Sequence, residues 1–124
     1  MKHILKARTF YRWMRKTQLD DSALIAAIGE MEQGLVDAEL GGNLYKKRIA
    51  LPGRGKSGST RVLIATNREN RWFFLYGFEK NEKDNITLAE LAYLQAAAQV
   101  FLTYSEEELQ SAIALGEFLE VYRG

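Results

Sequence analysis

Two β-favouring runs most constrain what this chain can become. Val62-Leu63-Ile64-Ala65, headed by Arg61, and Trp72-Phe73-Phe74-Leu75-Tyr76-Gly77-Phe78 are separated by the polar break Asn67-Arg68-Glu69-Asn70. Such a break between β-branched and aromatic runs reads as a hairpin turn. The predicted strands are Thr60–Thr66 and Arg71–Glu79. A third, Tyr45–Ala50, precedes them across the glycine-rich loop Leu51-Pro52-Gly53-Arg54-Gly55-Lys56-Ser57-Gly58. Consecutive strands of this kind are most simply antiparallel neighbours.

Helix signals flank the three strands. Thr9 can cap a helix running to about Gln18, with Phe10, Trp13, Met14 and Thr17 at helical spacing. Asp20-Asp21-Ser22 opens a second, from Ala23 to about Gln33, with Leu24, Ile25, Ile28 and Met31 on its buried side and Gly34 as its stop. Thr87-Leu88-Ala89-Glu90 and Ser105-Glu106-Glu107-Glu108 both carry the capping-box pattern. They predict helices over 88–102 and 106–122. Leu91, Leu94, Ala98, Phe101 and Leu102 would face the core from the first. Leu109, Ala112, Ile113, Gly116 and Leu119 would do so from the second. His3-Ile4-Leu5 is a candidate short first strand.

A chain of 124 residues is expected to make one domain, 1–124, with a core that needs no staples. Cysteine is absent, which excludes disulfides, thiolate metal sites and a cysteine nucleophile, and is compatible with a reducing cytoplasm. With His3 the only histidine, no metal or cofactor is expected. The longest mostly apolar segment, Leu88 to Leu102, is too short and too polar to span a bilayer, and no secretory signal is visible. The net charge of +1 hides an asymmetry. Residues 1–16 carry six bases and no acid, whereas residues 103–124 carry five acids and one base. Such a distribution suits a face that binds a polyanion.

The chemistry concentrates in the middle. Between Leu40 and Arg61 lie Lys46, Lys47, Arg48, Arg54, Lys56 and Arg61, and no acid. Gly55-Lys56-Ser57 hints at a nucleotide-binding P-loop, but Ala50 stands where the motif needs glycine, and a strand follows where it needs a helix. The loop can still approach a phosphate through backbone amides, with Arg54 and Lys56 adding charge. Strand alternation puts Lys46 and Arg48 on one face and Lys47 on the other. With Arg61 on the next strand, the first two would form a positive site for a phosphate, or else a set of solvated edge cations. The same alternation places Trp72, Phe74, Tyr76 and Phe78 on one side, Phe73 and Leu75 on the other. Tyr76 is the best aromatic for stacking a base or handling a proton.

The order of elements and three segments resemble the RelE/ParE toxin superfamily, most closely its HigB-like branch. The segments are Leu44-Tyr45-Lys46-Lys47-Arg48-Ile49, Gly53 to Arg61, and Phe74-Leu75-Tyr76-Gly77-Phe78-Glu79-Lys80-Asn81-Glu82. The match is specific over about residues 40–90. It implies an α+β, microbial-ribonuclease-type fold: two N-terminal helices on a small curved antiparallel sheet, with C-terminal helices. In that picture helices cover one sheet face and the other holds the active site. The implied activity is a ribosome-dependent endoribonuclease that cuts mRNA in the A site without metal, the RNA 2′-hydroxyl attacking the adjacent phosphate.

By the same resemblance, Lys46, Arg48, Arg61 and Lys80 are the catalytic candidates. Lys47, Arg54, Lys56, Tyr76 and Lys83 are the RNA-binding ones. The family pattern is broken at Asn81, where some relatives have arginine, and at Thr87, near a relative's tyrosine; Lys80, Lys83 or Tyr76 would have to substitute. Implied partners are mRNA, the ribosome and a cognate antitoxin, which the HigB-like resemblance suggests is of helix-turn-helix type, with a monomeric free toxin. Two other readings stay open: a ParE-like inhibitor of DNA gyrase, and a non-catalytic RNA- or antitoxin-binding domain.

Overall fold

The computed structural model describes residues 2–51, 60–83 and 85–123. In chain order the elements are β1 (His3–Ala7), α1 (Arg8–Met14), α2 (Asp21–Glu32), β2 (Ala38–Glu39), β3 (Leu44–Ile49), β4 (Thr60–Thr66), β5 (Arg71–Glu79), α3 (Leu88–Leu102), α4 (Glu106–Ala114) and β6 (Phe118–Glu120). The strands form an open, six-stranded sheet in the order β2-β3-β4-β5-β1-β6. As expected, β3, β4 and β5 are antiparallel neighbours. The hairpin turn is held by Asn67, whose side-chain oxygen accepts from the amides of Glu69, Asn70 and Arg71. One pair departs from the antiparallel expectation: β1 runs parallel to β5, because the chain between them returns by way of helices and three strands.

The helices begin where local chemistry starts them. Asp20 caps α2 by accepting from the Ala23 amide at 2.9 Å, and Leu24, Ala27, Ile28 and Met31 form its buried stripe. Both predicted capping boxes are present, Thr87 with Glu90 on α3 and Ser105 with Glu108 on α4. Burial of a side chain such as Leu24 or Ile28 stabilises by roughly 1.5–3 kcal/mol.

Two expected helices are shorter than their apolar patterns. α1 ends at Met14, and the Thr17 hydroxyl donates to the Met14 carbonyl at 2.7 Å, closing the helix rather than extending its stripe. α4 ends at Ala114, and Gly116 turns the chain with φ 77°. Arg8 donates to the Gly116 and Leu115 carbonyls at 2.8 and 3.1 Å, so the carbonyls at that end are satisfied. Phe118–Glu120 then pairs with β1 instead of continuing as helix, which covers a sheet edge.

Helices cover both faces of the sheet, not one. Phe10, Met14, Leu24 and Ile28, from α1 and α2, cluster with Val62, Ile64, Trp72 and Phe74. Leu94, Ala98, Leu109 and Ala112, from α3 and α4, cluster with Leu63, Ala65, Phe73 and Leu75. The reason lies in β4: Val62, Leu63, Ile64 and Ala65 are all fully buried, and a strand apolar on both faces needs cover on both. α1 comes especially close, because a Cβ on Gly77 would run into the Trp13 ring.

Candidate active site

β3 and β4 bring the basic residues into register. Arg48 lies directly opposite Arg61, and Lys46 opposite Leu63. Across β4, Arg61 pairs with Phe78 and Leu63 with Tyr76. Two cross-strand rows result: Arg48–Arg61–Phe78 and Lys46–Leu63–Tyr76. Leu63 belongs to the cluster beneath α3 and α4, so both rows lie on that face. The buried residues of α3, Leu94 and Ala98, share that cluster with Leu44, Ala65 and Phe73 at the other end of the strands. The basic end keeps Arg48 exposed and leaves Lys46, Arg61 and Tyr76 half-buried.

A β-bulge decides which aromatics join these rows. Leu63 pairs with Tyr76 but Ile64 pairs with Phe74, leaving Leu75 as an extra residue. Simple alternation groups Tyr76 and Phe78 with Trp72 and Phe74. The bulge reverses this and puts Tyr76 and Phe78 on the face of Phe73 and Leu75, beside Lys46 and Arg61. The rings of Tyr76 and Phe78 are 6.2 Å apart between centroids, as neighbours on one face would be.

Two carboxylates complete the electrostatics. Asp37 lies against both arginines, 3.3 Å from Arg48 Nε and 3.9 Å from Arg61 Nε. Like charges directly opposite one another destabilise a sheet, and Asp37 offsets that repulsion. Its backbone amide donates to the Lys46 carbonyl at 2.9 Å, which fixes it beside the strand. The second carboxylate is Glu90, in the first turn of α3. It accepts from Lys83 Nζ at 2.6 and 2.7 Å and from the Tyr76 hydroxyl at 2.9 Å. Lys83 Nζ also donates to the Tyr76 oxygen at 3.2 Å. The Lys83 hydrogen bond, then the Thr87 amide, hold the Glu90 carboxyl down to about 2. Glu90, then Tyr76, push the Lys83 ammonium up. Both groups are therefore ionised at neutral pH.

Compared with known families, residues 2–121 match the model described as RelE toxin of RelE / RelB toxin-antitoxin system. The chain belongs to the RelE toxin family. Its partner in such a system is an antitoxin. Among curated proteins, none matches the sequence.

In this RelE-family toxin the predicted residues fall into separate groups. Lys46, Arg48, Arg61 and Tyr76 come together on one face, and Lys83 reaches Tyr76 from the chain after β5. Lys47 does not join them. It points to the α2 side, is buried, and pairs with Glu30 at 2.5 Å. Lys80 is exposed in the turn after β5, next to Asn81. Thr87 is occupied as the N-cap of α3. Arg54 and Lys56 lie outside the described residues. His3 is buried on β1, with Nε2 3.1 Å from a Glu106 oxygen, and so ties α4 to the sheet.

Sequence reasoning missed Asp37 and Glu90. Asp37 stands just outside the acid-free stretch that opens at Leu40. Glu90 was visible only as the last residue of a capping box. Beside the site, Thr9, Leu75, Tyr76, Ala89, Glu90, Tyr93 and Leu94 line an apolar cavity of about 440 Å³. No helix among the described residues is long and apolar enough to cross a membrane.

Proposed function

We propose that this toxin is an endoribonuclease that cuts mRNA in the ribosomal A site and so stops translation. The observation that carries the reading is the convergence of Lys46, Arg48, Arg61 and Tyr76 at the end of one sheet face, with Lys83 held against Tyr76. Membership of the RelE family supports the same reading.

The proposed mechanism assigns each group a task. Arg48 and Arg61 take the non-bridging oxygens of the scissile phosphate, in place of the Asp37 carboxylate, and stabilise the charge that grows on them. Lys46 accepts the 2′-hydroxyl proton as general base, and the 2′-oxygen attacks phosphorus. The bond to the 5′-oxygen breaks. That oxygen receives a proton from Lys83, directly or through Tyr76. The products are a 2′,3′-cyclic phosphate and a 5′-hydroxyl, so one proton is taken and one returned. Lys80, another of the residues that could substitute where the family pattern is broken, has no such partner among the described residues, whereas Lys83 is held by Glu90 and Tyr76. The flanking base stacks near Tyr76. The HigB-like likeness of the central segments points to a helix-turn-helix antitoxin and a cytoplasmic site of action.

Primer extension on an mRNA in a purified translation system tests the reading. Wild type should cut within A-site codons only when ribosomes are present, and Arg61→Ala should not cut. Intact mRNA with both proteins, alongside DNA damage in cells, would instead indicate a gyrase inhibitor. Intact mRNA without toxicity would indicate a binding-only relative.

A further inference from the structure

We propose that Glu90 is a positioning residue for leaving-group protonation, clamping the Lys83 ammonium and the Tyr76 hydroxyl together at the edge of the basic rows. The inference rests on the ribonuclease reading and assigns a role to a residue that the basic motif does not include.

The contacts come from three parts of the chain. Tyr76 belongs to β5, Lys83 to the segment after it, and Glu90 to the first turn of α3. Both carboxylate oxygens are engaged. Oε1 accepts from Lys83 at 2.6 Å and from the Thr87 amide at 2.7 Å. Oε2 accepts from Lys83 at 2.7 Å and from Tyr76 at 2.9 Å. Lys83 Nζ also lies 5.5 Å from the centroid of the Tyr76 ring. Without the carboxylate, a flexible lysine after the strand would sample many rotamers, and fixing such a side chain costs conformational entropy.

Capping does not account for this arrangement. A capping box needs only an acceptor at its third helical position, and glutamine serves as well as glutamate. The second box in this chain provides the comparison. Glu108 accepts from the Ser105 amide at 2.7 Å, as Glu90 does from Thr87. Among the described residues, Glu108 has no lysine or tyrosine partner; Glu90 has both. The ionised state of Glu90 is therefore used for something beyond the helix end.

In the cleavage step, Lys83 supplies the proton that the departing 5′-oxygen takes up. Glu90 keeps it loaded and aimed. Among the described residues, the titratable groups that touch Lys83 are Glu90 from α3 and Tyr76 from β5.

The test measures ribosome-dependent cleavage as a function of pH for wild type, Glu90→Gln and Thr87→Ala, with thermal melting alongside. Glu90→Gln keeps the capping acceptor and removes the charge. It should fold, retain KM and lose kcat on the order of 10²-fold, as a misplaced reacting group does. The alkaline limb of its pH profile should move to lower pH, because Glu90 is the first cause of the raised Lys83 value. Thr87→Ala weakens the cap and leaves the clamp, so it should melt lower with the wild-type pH profile. A Glu90→Gln enzyme with wild-type kcat and pH profile would overturn the inference and leave the ribonuclease reading standing. So would a Thr87→Ala enzyme that loses as much kcat as Glu90→Gln. A wild type that cuts no mRNA at any pH would overturn the ribonuclease reading, and the inference with it.

Discussion

Lys46 and Lys47 are adjacent in sequence and meet opposite fates. Lys47 turns toward α2, where it is only 5 % exposed and pairs with Glu30. Lys46 turns toward the α3/α4 side, stays half-buried, and shares a row with Leu63 and Tyr76. The two faces differ in how far their helices reach. On the α2 side the apolar cover continues along β3 through Tyr45 and Ile49. On the other side Leu44 is covered, and the cluster of α3 and α4 contains no later residue of β3. A run of three cations is therefore not one patch. The pleat assigns alternate members to different environments, and the candidate site lies where the helical cover stops.

The largest effect should come from the arginine pair. Arg61→Ala should lower cleavage on the order of 10²–10³-fold, the usual loss for one donor to a transition-state anion. Its side chain is 11 % exposed and lies beside Asp37, so each rate is taken per folded molecule. A wild-type rate per folded molecule would mean that Arg61 is structural, and the contrast between the faces would fail.

Backbone space gives the next test. Gly77→Ala places a Cβ in the Trp13 ring and should destabilise by roughly 1–3 kcal/mol, the range for overpacking. Gly29→Ala, in the interior of α2 with open space around it, should stabilise by about 0.5–1 kcal/mol. Denaturant melts of the two would show whether the α1 and α2 side is packed as described.

Smaller effects should follow from the two carboxylates. Asp37→Asn leaves Arg48 facing Arg61 without their shared counter-charge. It should lower stability by about 0.2–1 kcal/mol. RNA binding, measured by fluorescence anisotropy on a short oligonucleotide, should tighten, because no side-chain anion then competes with phosphate. Glu90 bears on stability through pH. Its folded value, about 2, lies below its ordinary 4.5. Its contribution is thus present in full above pH 4.5 and is lost as pH falls through about 2. Acid melts of wild type and Glu90→Gln should differ at neutral pH and converge toward pH 2.

Local signals in the sequence were reliable where structure is local. The capping boxes at Thr87 and Ser105, the Asp20 cap and the Asn67–Asn70 turn each act within a few residues, and each is present. The split between Lys46/Arg48 and Lys47 follows from strand alternation alone. What could not be read depends on distant partners. The bulge after Ile64's partner is a one-residue slip between β4 and β5, and alternation counted along β5 has no sign of it. β6 exists because Phe118 pairs with Ala7, at the other end of the chain, so the apolar pattern after Ala114 read as helix. Asp37 and Glu90 reach the site from β2's approach and from α3, and neither stands beside its partners in sequence.

The most direct test of the account compares Lys46→Met and Lys47→Met in one ribosome-dependent cleavage assay, each rate taken per folded molecule. If the site is the uncovered end of the α3/α4 face, Lys46→Met should lose cleavage on the order of 10²-fold. Lys47→Met should register in thermal melting rather than in the cleavage rate. Equal losses in both, or a greater loss in Lys47→Met, would contradict the assignment of the active site to that face.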